Sequence, residues 1–424
     1  MLKNYFKIAI AILKRRKFFT FVSLFGISFT LATLLVLTAF IEKIVNDDYP
    51  DRKRARSLYL TGIEENGPQA MSSSAFSLDY IQRYLKTMKT PVDVAFYSAR
   101  AGTNTYHAGK KIGISLRYVN ASYWDVLEFE FLEGKPFDVQ QVRNREKVTV
   151  ITEDLRRQYF GEDVQVVGKF IEADNQQFRV SGVVKNVPGT TYFFNADMYV
   201  PYSVTGVTIE TPPTYHDEYS TAMFKGKVQS YQGEYSAVLL AADAGSVAAM
   251  QTEYKNVVAR LKPSDKMFDK VLSYADYYPD AYLRTGNMSK PLKRWVYSVI
   301  GGFVFLLIFL PSVNLVNINL TRIMERSSEI AVRKAFGASS NTLVYQFIVE
   351  NIILTLLGGI AGILLAMVML YIFNDAAILP HVTLHLNPVV LVIGLITCLV
   401  FGLVSGVYPA WRMSRLAIVK ALKA

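Results

Sequence analysis

The sequence predicts a membrane protein in which four transmembrane α-helices, one plus three, carry a large α+β extracytoplasmic domain inserted between helices 1 and 2. Three observations predict it. Apolar residues make up 51% of the 424-residue chain and charged residues only 19%, below the roughly 25% of an ordinary soluble chain. The apolar excess is gathered into four stretches, Phe18 to Ile41, Trp295 to Leu320, Leu343 to Phe373 and Pro388 to Val407. Each meets the roughly 20 residues needed to cross a hydrocarbon core about 30 Å thick. The net charge of +11 is concentrated in residues 1–17, 321–340 and the tail after Val407, which together carry a net +12 and leave −1 for everything else. The loop from Asn374 to Asn387 holds Asp375 and no Lys or Arg. This distribution is the positive-inside pattern, with both termini and the 321–340 loop cytoplasmic. A soluble enzyme is excluded by the spans, and a nucleic-acid binder by the placement of the charge.

Residues 1–17 hold Lys3, Lys7, Lys14, Arg15, Arg16 and Lys17 and no acid. Two readings stand for them. Lys3, Lys7 and Lys14 fall within about 40° of one another on a helical wheel, which suits a cytoplasmic amphipathic helix lying in the inner interface; a basic leader that only sets topology explains the same charges. Residues 18–45 read as transmembrane helix 1 and the start of a stalk. The apolar run is too long for a cleavable signal, and Val22 to Phe40 alone contains eleven Leu, Ile, Phe or Val, so it is expected to remain as an anchor.

Residues 46–290 form the extracytoplasmic domain, large enough to build its own core and free of cysteine; the single cysteine, Cys398, lies in the fourth apolar stretch. Strand composition recurs at Ser57–Thr61, Val92–Tyr97, Ile112–Val119, Lys147–Ile151, Lys169–Glu172 and Phe178–Val184, with Asp174-Asn175 marking a hairpin between the last two. Helical periodicity marks Leu78–Met88 and Val247–Leu261. Glu64–Ser74 and Thr205–Thr214 read as loops, and the whole as an α+β domain of two lobes. Residues 291–320 are stalk and transmembrane helix 2, where Pro311 is expected to kink the helix and Asn314, Asn317 and Asn319 follow. Residues 341–373 are transmembrane helix 3, 374–386 an outer loop, 387–410 transmembrane helix 4 and 411–424 a cytoplasmic tail. Gly358 with Gly362 and Gly402 with Gly406 are small-xxx-small steps that let helix backbones approach. Asn387 is a plausible N-cap and Pro388 suits the first turn.

Chemistry is conspicuous by its absence from the motifs. Gly-Lys pairs at Gly109, Gly134, Gly168 and Gly226 lack the rest of a phosphate loop, and neither a zincin helix nor a hydrolase elbow is present. His381 and His385 read as exposed histidines on the outer loop rather than as metal ligands. No cofactor is expected on the chain itself. Glu350, about ten residues into transmembrane helix 3, is a functional candidate because an acid in a span is costly. A structural ion pair with the 321–340 loop explains it equally.

The segment 321–340 is the most informative. Ser328 can cap a short helix opened by Glu329, Glu329 and Arg333 stand at the favourable i, i+4 spacing, and Gly337 is placed to end it. A coupling helix and a solvated topogenic loop both fit these residues. Arg326 to Ser339, written Arg-x-x-Glu-Ile-Ala-Val-Arg-Lys-Ala-Phe-Gly-Ala-Ser, followed by Gln346-Phe-Ile-Val-Glu350, resembles the permease signature of the MacB/FtsX family. The tail from Tyr408, and the outer segments Phe129–Phe137 and Phe178–Pro188, are similar to the cytoplasmic ending and the periplasmic core domain of that family.

The resemblance implies a type VII ABC transporter permease, without catalytic residues of its own. Ser328, Glu329, Ile330, Arg333, Lys334, Phe336 and Gly337 would couple to a separate cytoplasmic ABC ATPase subunit that holds ATP and Mg. It also implies a second permease protomer, identical or paralogous, a bacterial inner-membrane location with the large domain periplasmic, and room for a periplasmic or outer-membrane partner. The expected function is mechanotransmission, in which ATP-driven motion reaches the outer domain for export or extraction of peptide, lipoprotein, toxin or lipid-like cargo. The alternative is a regulatory mechanotransmitter that activates a cell-wall hydrolase or senses antimicrobials.

Overall fold

The structure, a computed structural model, describes residues 15, 17–107, 109–162, 165–205, 231–284, 293–306, 309, 340–396 and 399–400. Two compact units emerge. The membrane unit comprises Met1–Glu42, Val296–Ile378 and Thr383–Ala424; the outer unit comprises Lys43–Trp295 and Leu379–Val382.

Helix α1 (Lys17–Val45) is apolar along its length. Its Ser and Thr hydroxyls return to carbonyls one turn back, Ser28 to Leu24 at 2.6 Å, Thr30 to Gly26 at 2.8 Å and Thr38 to Leu34 at 2.8 Å. That local bonding lets polar side chains sit in an apolar helix without an exposed hydroxyl.

The outer unit is built on one 14-stranded mixed sheet. In chain order its elements are β1 (Ser57–Leu60), β2 (Ile63–Asn66), β3 (Met71–Phe76), α2 (Leu78–Tyr80), β4 (Pro91–Ser98), β5 (Ala101–His107), β6 (Lys110–Val119), α3 (Tyr123–Val126), β7 (Phe131–Gly134), α4 (Val139–Arg143), β8 (Val148–Thr152), α5 (Glu153–Phe160), β9 (Phe170–Ala173) and β10 (Gln176–Val184). There follow β11 (Met198–Pro201), β12 (Gln232–Gly233), β13 (Tyr235–Ala241), α6 (Val247–Ala259), β14 (Lys270–Ser273) and α7 (Tyr278–Arg284). The main path runs β14-β2-β3-β13-β4-β6-β11-β8-β10-β7. Among the described residues, only β6–β11 and β8–β10 pair in parallel.

Local chemistry explains the breaks between elements. Ser77 caps α2, which continues as a wider turn over Ile81–Leu85, and Asp138 with Gln141 forms a reciprocal capping box on α4. Asp174 and Asn175 both adopt left-handed conformations, φ 49° and 56°, in the β9–β10 turn, as the expected hairpin requires. Gly134 must be glycine: at φ +67° a Cβ would stand 2.2 Å from the Ser181 carbonyl oxygen.

Three apolar clusters fill the outer unit. One packs α2 and α6 on β1, β3, β4 and β13, and another packs α5 on β6, β8, β10 and β11. The third is aromatic, with Tyr59, Tyr97, Tyr123, Trp124, Phe137, Phe194, Tyr199 and Tyr278 buried together. The two expected lobes are thus two helix-covered portions of one sheet. The expected loop Glu64–Ser74 is wrong: most of it is β2 and β3, paired from Ile63↔Ser74 to Asn66↔Met71. Its polar residues are satisfied at a distance, Glu65 accepting from the Ser264 amide and hydroxyl, both at 2.7 Å.

In the membrane unit the second long helix is α8 (Ser340–Asp375). Thr20–Val45 and Ile348–Asp375 are, among the described residues, the two helices long and apolar enough to cross a bilayer. Residues 293–306 and 388–396 are helical as well, overlapping the second apolar stretch and lying within the fourth.

Candidate functional sites: a helix seam and a buried polar cluster

Small residues set the approach of α1 to α8. A Cβ on Gly362 would lie 2.9 Å from the Ser28 carbonyl oxygen, and one on Gly358 would lie 2.8 Å from Ile27 Cγ2. The Ser28 hydroxyl, 2.6 Å from the Leu24 carbonyl, shares its one proton with the Gly358 carbonyl at 3.0 Å. Around this seam Leu31, Ala32 and Leu35 of α1 pack with Ala366 of α8. Toward the outer end Phe40 meets Phe373 edge-on at 4.8 Å. Asn387 caps the residues after it, accepting from the Val389 amide at 2.8 Å, and donates to Glu42 Oε1 at 2.7 Å. The expected N-cap is therefore formed, and a carboxylate stands beside that helix start, where the macrodipole favours it.

Of the residues singled out in the sequence, Gly358 and Gly362 are brought together with α1 as described. Glu350 is 4% exposed on α8 and is engaged in an interaction there. Ser328, Glu329, Ile330, Arg333, Lys334, Phe336 and Gly337, together with Pro311, Asn314, Asn317, Gly402 and Gly406, lie outside the described residues. His381 and His385 are exposed, as expected, and His381 also has a partner. Although 37% of its side chain is exposed, it is paired through Nε2 with Asp154 Oδ2 at 2.8 Å, and Asn186 donates to the other Asp154 oxygen at 2.9 Å. No group of three metal-ligating side chains occurs among the described residues.

Sequence reasoning missed a second constellation, at the start of the outer unit. Arg54 and Asp51 are 4% and 1% exposed and pair through Arg54 Nε and Asp51 Oδ2 at 2.9 Å. Tyr59 Oη donates to the same carboxylate, 2.9 and 2.8 Å from its two oxygens, and the Arg54 guanidinium lies 3.8 Å above the Tyr278 ring. Arg54 Nη1 also donates to the carbonyls of Lys43 at 3.3 Å and Ile44 at 3.2 Å, and to that of Asn46. Burial pushes the Asp51 carboxyl up to about 6, with the neighbouring Arg54 charge and the Tyr59 hydrogen bond pulling the other way. Burial likewise raises the Tyr59 and Tyr278 phenols. The Asp51 to Arg54 spacing was the one local signal, but it carries no meaning without Tyr278, 224 residues later.

Residues 20–257 match the family model for the MacB-like periplasmic core domain, and residues 301–418 match that for the FtsX-like permease C-terminal region. The macrolide export ATP-binding/permease protein MacB of Escherichia coli K12 is 27% identical over 316 residues, 73% of this chain and 43% of the relative. The pyoverdine export ATP-binding/permease protein PvdT of Pseudomonas savastanoi pv. phaseolicola is 25% identical over 414 residues, 96% of this chain and 57% of the relative. The chain spans about half the length of the curated relatives it matches. Among solved structures, the periplasmic region of MacB from Actinobacillus actinomycetemcomitans aligns with TM-score 0.36 at 14% identity, covering 52% of this chain and 88% of that one. The extracellular domain of the noncanonic ABC-type transporter YknZ from Gram-positive bacteria aligns with TM-score 0.35 at 17% identity, covering 51% and 99%. With one family model covering most of α1 and of the outer unit and the other the permease region, the chain belongs to the MacB/FtsX-like family of ABC transporter permeases.

Proposed function

We propose that the chain is a permease subunit that transmits ATP-driven motion from a separate cytoplasmic ABC ATPase to its periplasmic unit, for export or extraction of peptide, lipoprotein, toxin or lipid-like cargo. The observation that carries this reading is the continuity of α1. One unbroken helix, Lys17–Val45, is apolar enough to cross the bilayer and contributes its last turn to the outer unit, whose boundary falls at Lys43. A helix without a break passes on displacement that a flexible linker would dissipate. The names of the relatives, which pair ATP binding with a permease for export, support the same assignment.

In this reading four spans cross the inner membrane with both termini cytoplasmic, a second protomer completes the permease, and ATP and Mg reside on the partner. The segment Ser328–Gly337 meets that partner.

The test is to purify the full chain from membranes in mild detergent, identify co-purifying proteins by mass spectrometry and assay ATP hydrolysis. The Glu329→Ala/Arg333→Ala double variant is compared with the intact chain. Recovery of an ATPase with the intact chain and its loss with the double variant is the expected result. Failure to recover an ATPase while the protomer assembly survives would refute the reading. Recovery of a cell-wall hydrolase with the outer unit, in place of cargo, would move the assignment to regulatory mechanotransmission. Glu350→Ala is expected to leave the ATPase bound and to uncouple hydrolysis from motion of the outer unit; unchanged coupling removes Glu350 from the mechanism.

A further inference from the structure

We infer that Arg54 is the joint that fixes the outer end of α1 to the sheet of the outer unit, with Asp51 and Tyr278 as the residues that position it. The inference deepens the mechanotransmission reading and rests on it for its purpose, though not for its geometry.

A helix ends with carbonyls that lack partners, commonly satisfied by water or by a following glycine turn. Here the carbonyls of Lys43 and Ile44, with that of Asn46 just beyond, share the two N–H bonds of a single nitrogen, Arg54 Nη1. A cation in that position also meets the negative end of the helix macrodipole. The chain between, residues 46–53, therefore does not act as a free linker: Arg54 closes it into a loop, with its backbone amide donating to Asp47 at 3.0 Å and Lys43 paired with Asp48 at 3.1 Å.

The guanidinium is held at Nε by a carboxylate and on one face by an aromatic ring, while Nη2 is buried without a hydrogen-bond partner. Asp51 takes Nε and is itself held by Tyr59 of β1. Tyr278, which opens α7, supplies the aromatic face beneath it. Those two tyrosines are in edge contact at 5.2 Å, and Tyr59 exchanges two backbone hydrogen bonds with Asp276, at 2.8 and 3.1 Å. The Asp276 carboxylate in turn pairs with Arg284, the last residue of α7. The segment leaving α1 and the segment that opens α7 thus converge on one Tyr59–Tyr278 contact. A buried ion pair is weak evidence for stability, because desolvation offsets its attraction. What it supplies here is direction: three carbonyls, a carboxylate and a ring face together allow the planar guanidinium one orientation, which a flexible ammonium would not share.

The experiment uses the full chain in lipid nanodiscs, without nucleotide or ATPase, on a Cys398→Ala background. Spin labels at Val45→Cys and Lys255→Cys report the end of α1 against α6; labels at Gln158→Cys and Lys255→Cys report the sheet itself. All three positions are exposed. In Arg54→Met the 45–255 distance distribution is expected to widen and shift while the 158–255 distribution stays as in the parent, with Arg54→Lys intermediate. An unchanged 45–255 distribution in Arg54→Met would overturn the joint. Should Arg54→Met widen both pairs, the milder Arg54→Lys is judged by the same criterion. Loss of ATPase coupling by a route that leaves the 45–255 distribution narrow would count against the functional reading and leave the joint standing.

Discussion

Leu239 and Leu31 are both fully buried, the first in the outer sheet and the second between α1 and α8, yet their surroundings invert one another. Around Leu239 the outer unit hides its apolar side chains, and elsewhere in its interior it also buries charge. Arg117 is 4% exposed and donates to the carbonyls of Ser98 at 2.6 Å, Tyr192 at 3.1 Å and Asn195 at 3.2 Å. Around Leu31 the membrane unit hides serines and glycines and turns large apolar side chains outward, among them Phe18, Phe21, Phe25 and Phe29 in a row along α1. Water drives the first arrangement. In lipid, tails are as apolar as leucine, so packing and a few hydrogen bonds must hold helices together.

The sharpest test is the same truncation in both places. Leu239→Ala is expected to cost about 2–5 kcal/mol, transfer and cavity terms together. Leu31→Ala forfeits mainly packing and should cost about 1–3 kcal/mol. Near-UV circular dichroism during thermal melts reads the outer unit, and a titration with sodium dodecyl sulfate reads the helices. Equal losses would break the contrast. Next comes Gly362→Leu, which forces α1 and α8 apart and is expected to lower stability by about 1–3 kcal/mol in the detergent titration. Gly301→Leu, where an added Cβ meets nothing within 4 Å among the described residues, should stay within about 0.5 kcal/mol; if the two glycines respond alike, close approach is not what selects Gly362.

Charge burial in the outer unit is read by pH. The folded-state carboxyl of Asp51 lies above its ordinary value, at about 6 against 3.8, so the native chain holds that proton more tightly than the unfolded one. Its contribution to stability is complete below about pH 4 and is lost as pH rises through about 6. Relative to Asp51→Asn, the wild-type chain should therefore gain melting temperature between pH 7 and pH 5. A relative loss over that range would mean that the ionised form is the one the site favours. The smallest effect is Ser28→Ala, which removes the bond to the Gly358 carbonyl and is expected to cost about 0.6 kcal/mol in the detergent titration.

What the sequence disclosed follows from the range of the forces involved. The two glycines of α8, the Asn387 cap and the Asp174-Asn175 turn are local features, and spacing alone marks them. β2 and β3 were hidden because Glu64, Glu65 and Ser72–Ser74 look like loop residues until Ser264 and the neighbouring strands supply their partners. Strand β13, Tyr-Ser-Ala-Val-Leu-Leu-Ala, is buried almost throughout and so lacks the alternation by which a half-buried strand is recognised. The Arg54 cluster was invisible for a further reason, since its members come from the end of α1, the segment between α1 and β1, β1 itself and α7. Only the folded sheet brings them within hydrogen-bonding or stacking distance.

The unbroken course of α1 also imposes a phase. Ile27, Leu31 and Leu35, which line the seam, and the carbonyls of Lys43 and Ile44, which Arg54 caps, belong to one helical screw turning about 100° per residue. Inserting a single alanine after Val36 would rotate the capped end by that angle relative to the seam, whereas seven inserted residues would return it to within about 20°. The length of this helix is therefore quantised by its pitch: near-whole turns keep the capped carbonyls in angular register with the seam residues of the same helix, and a fraction of a turn does not.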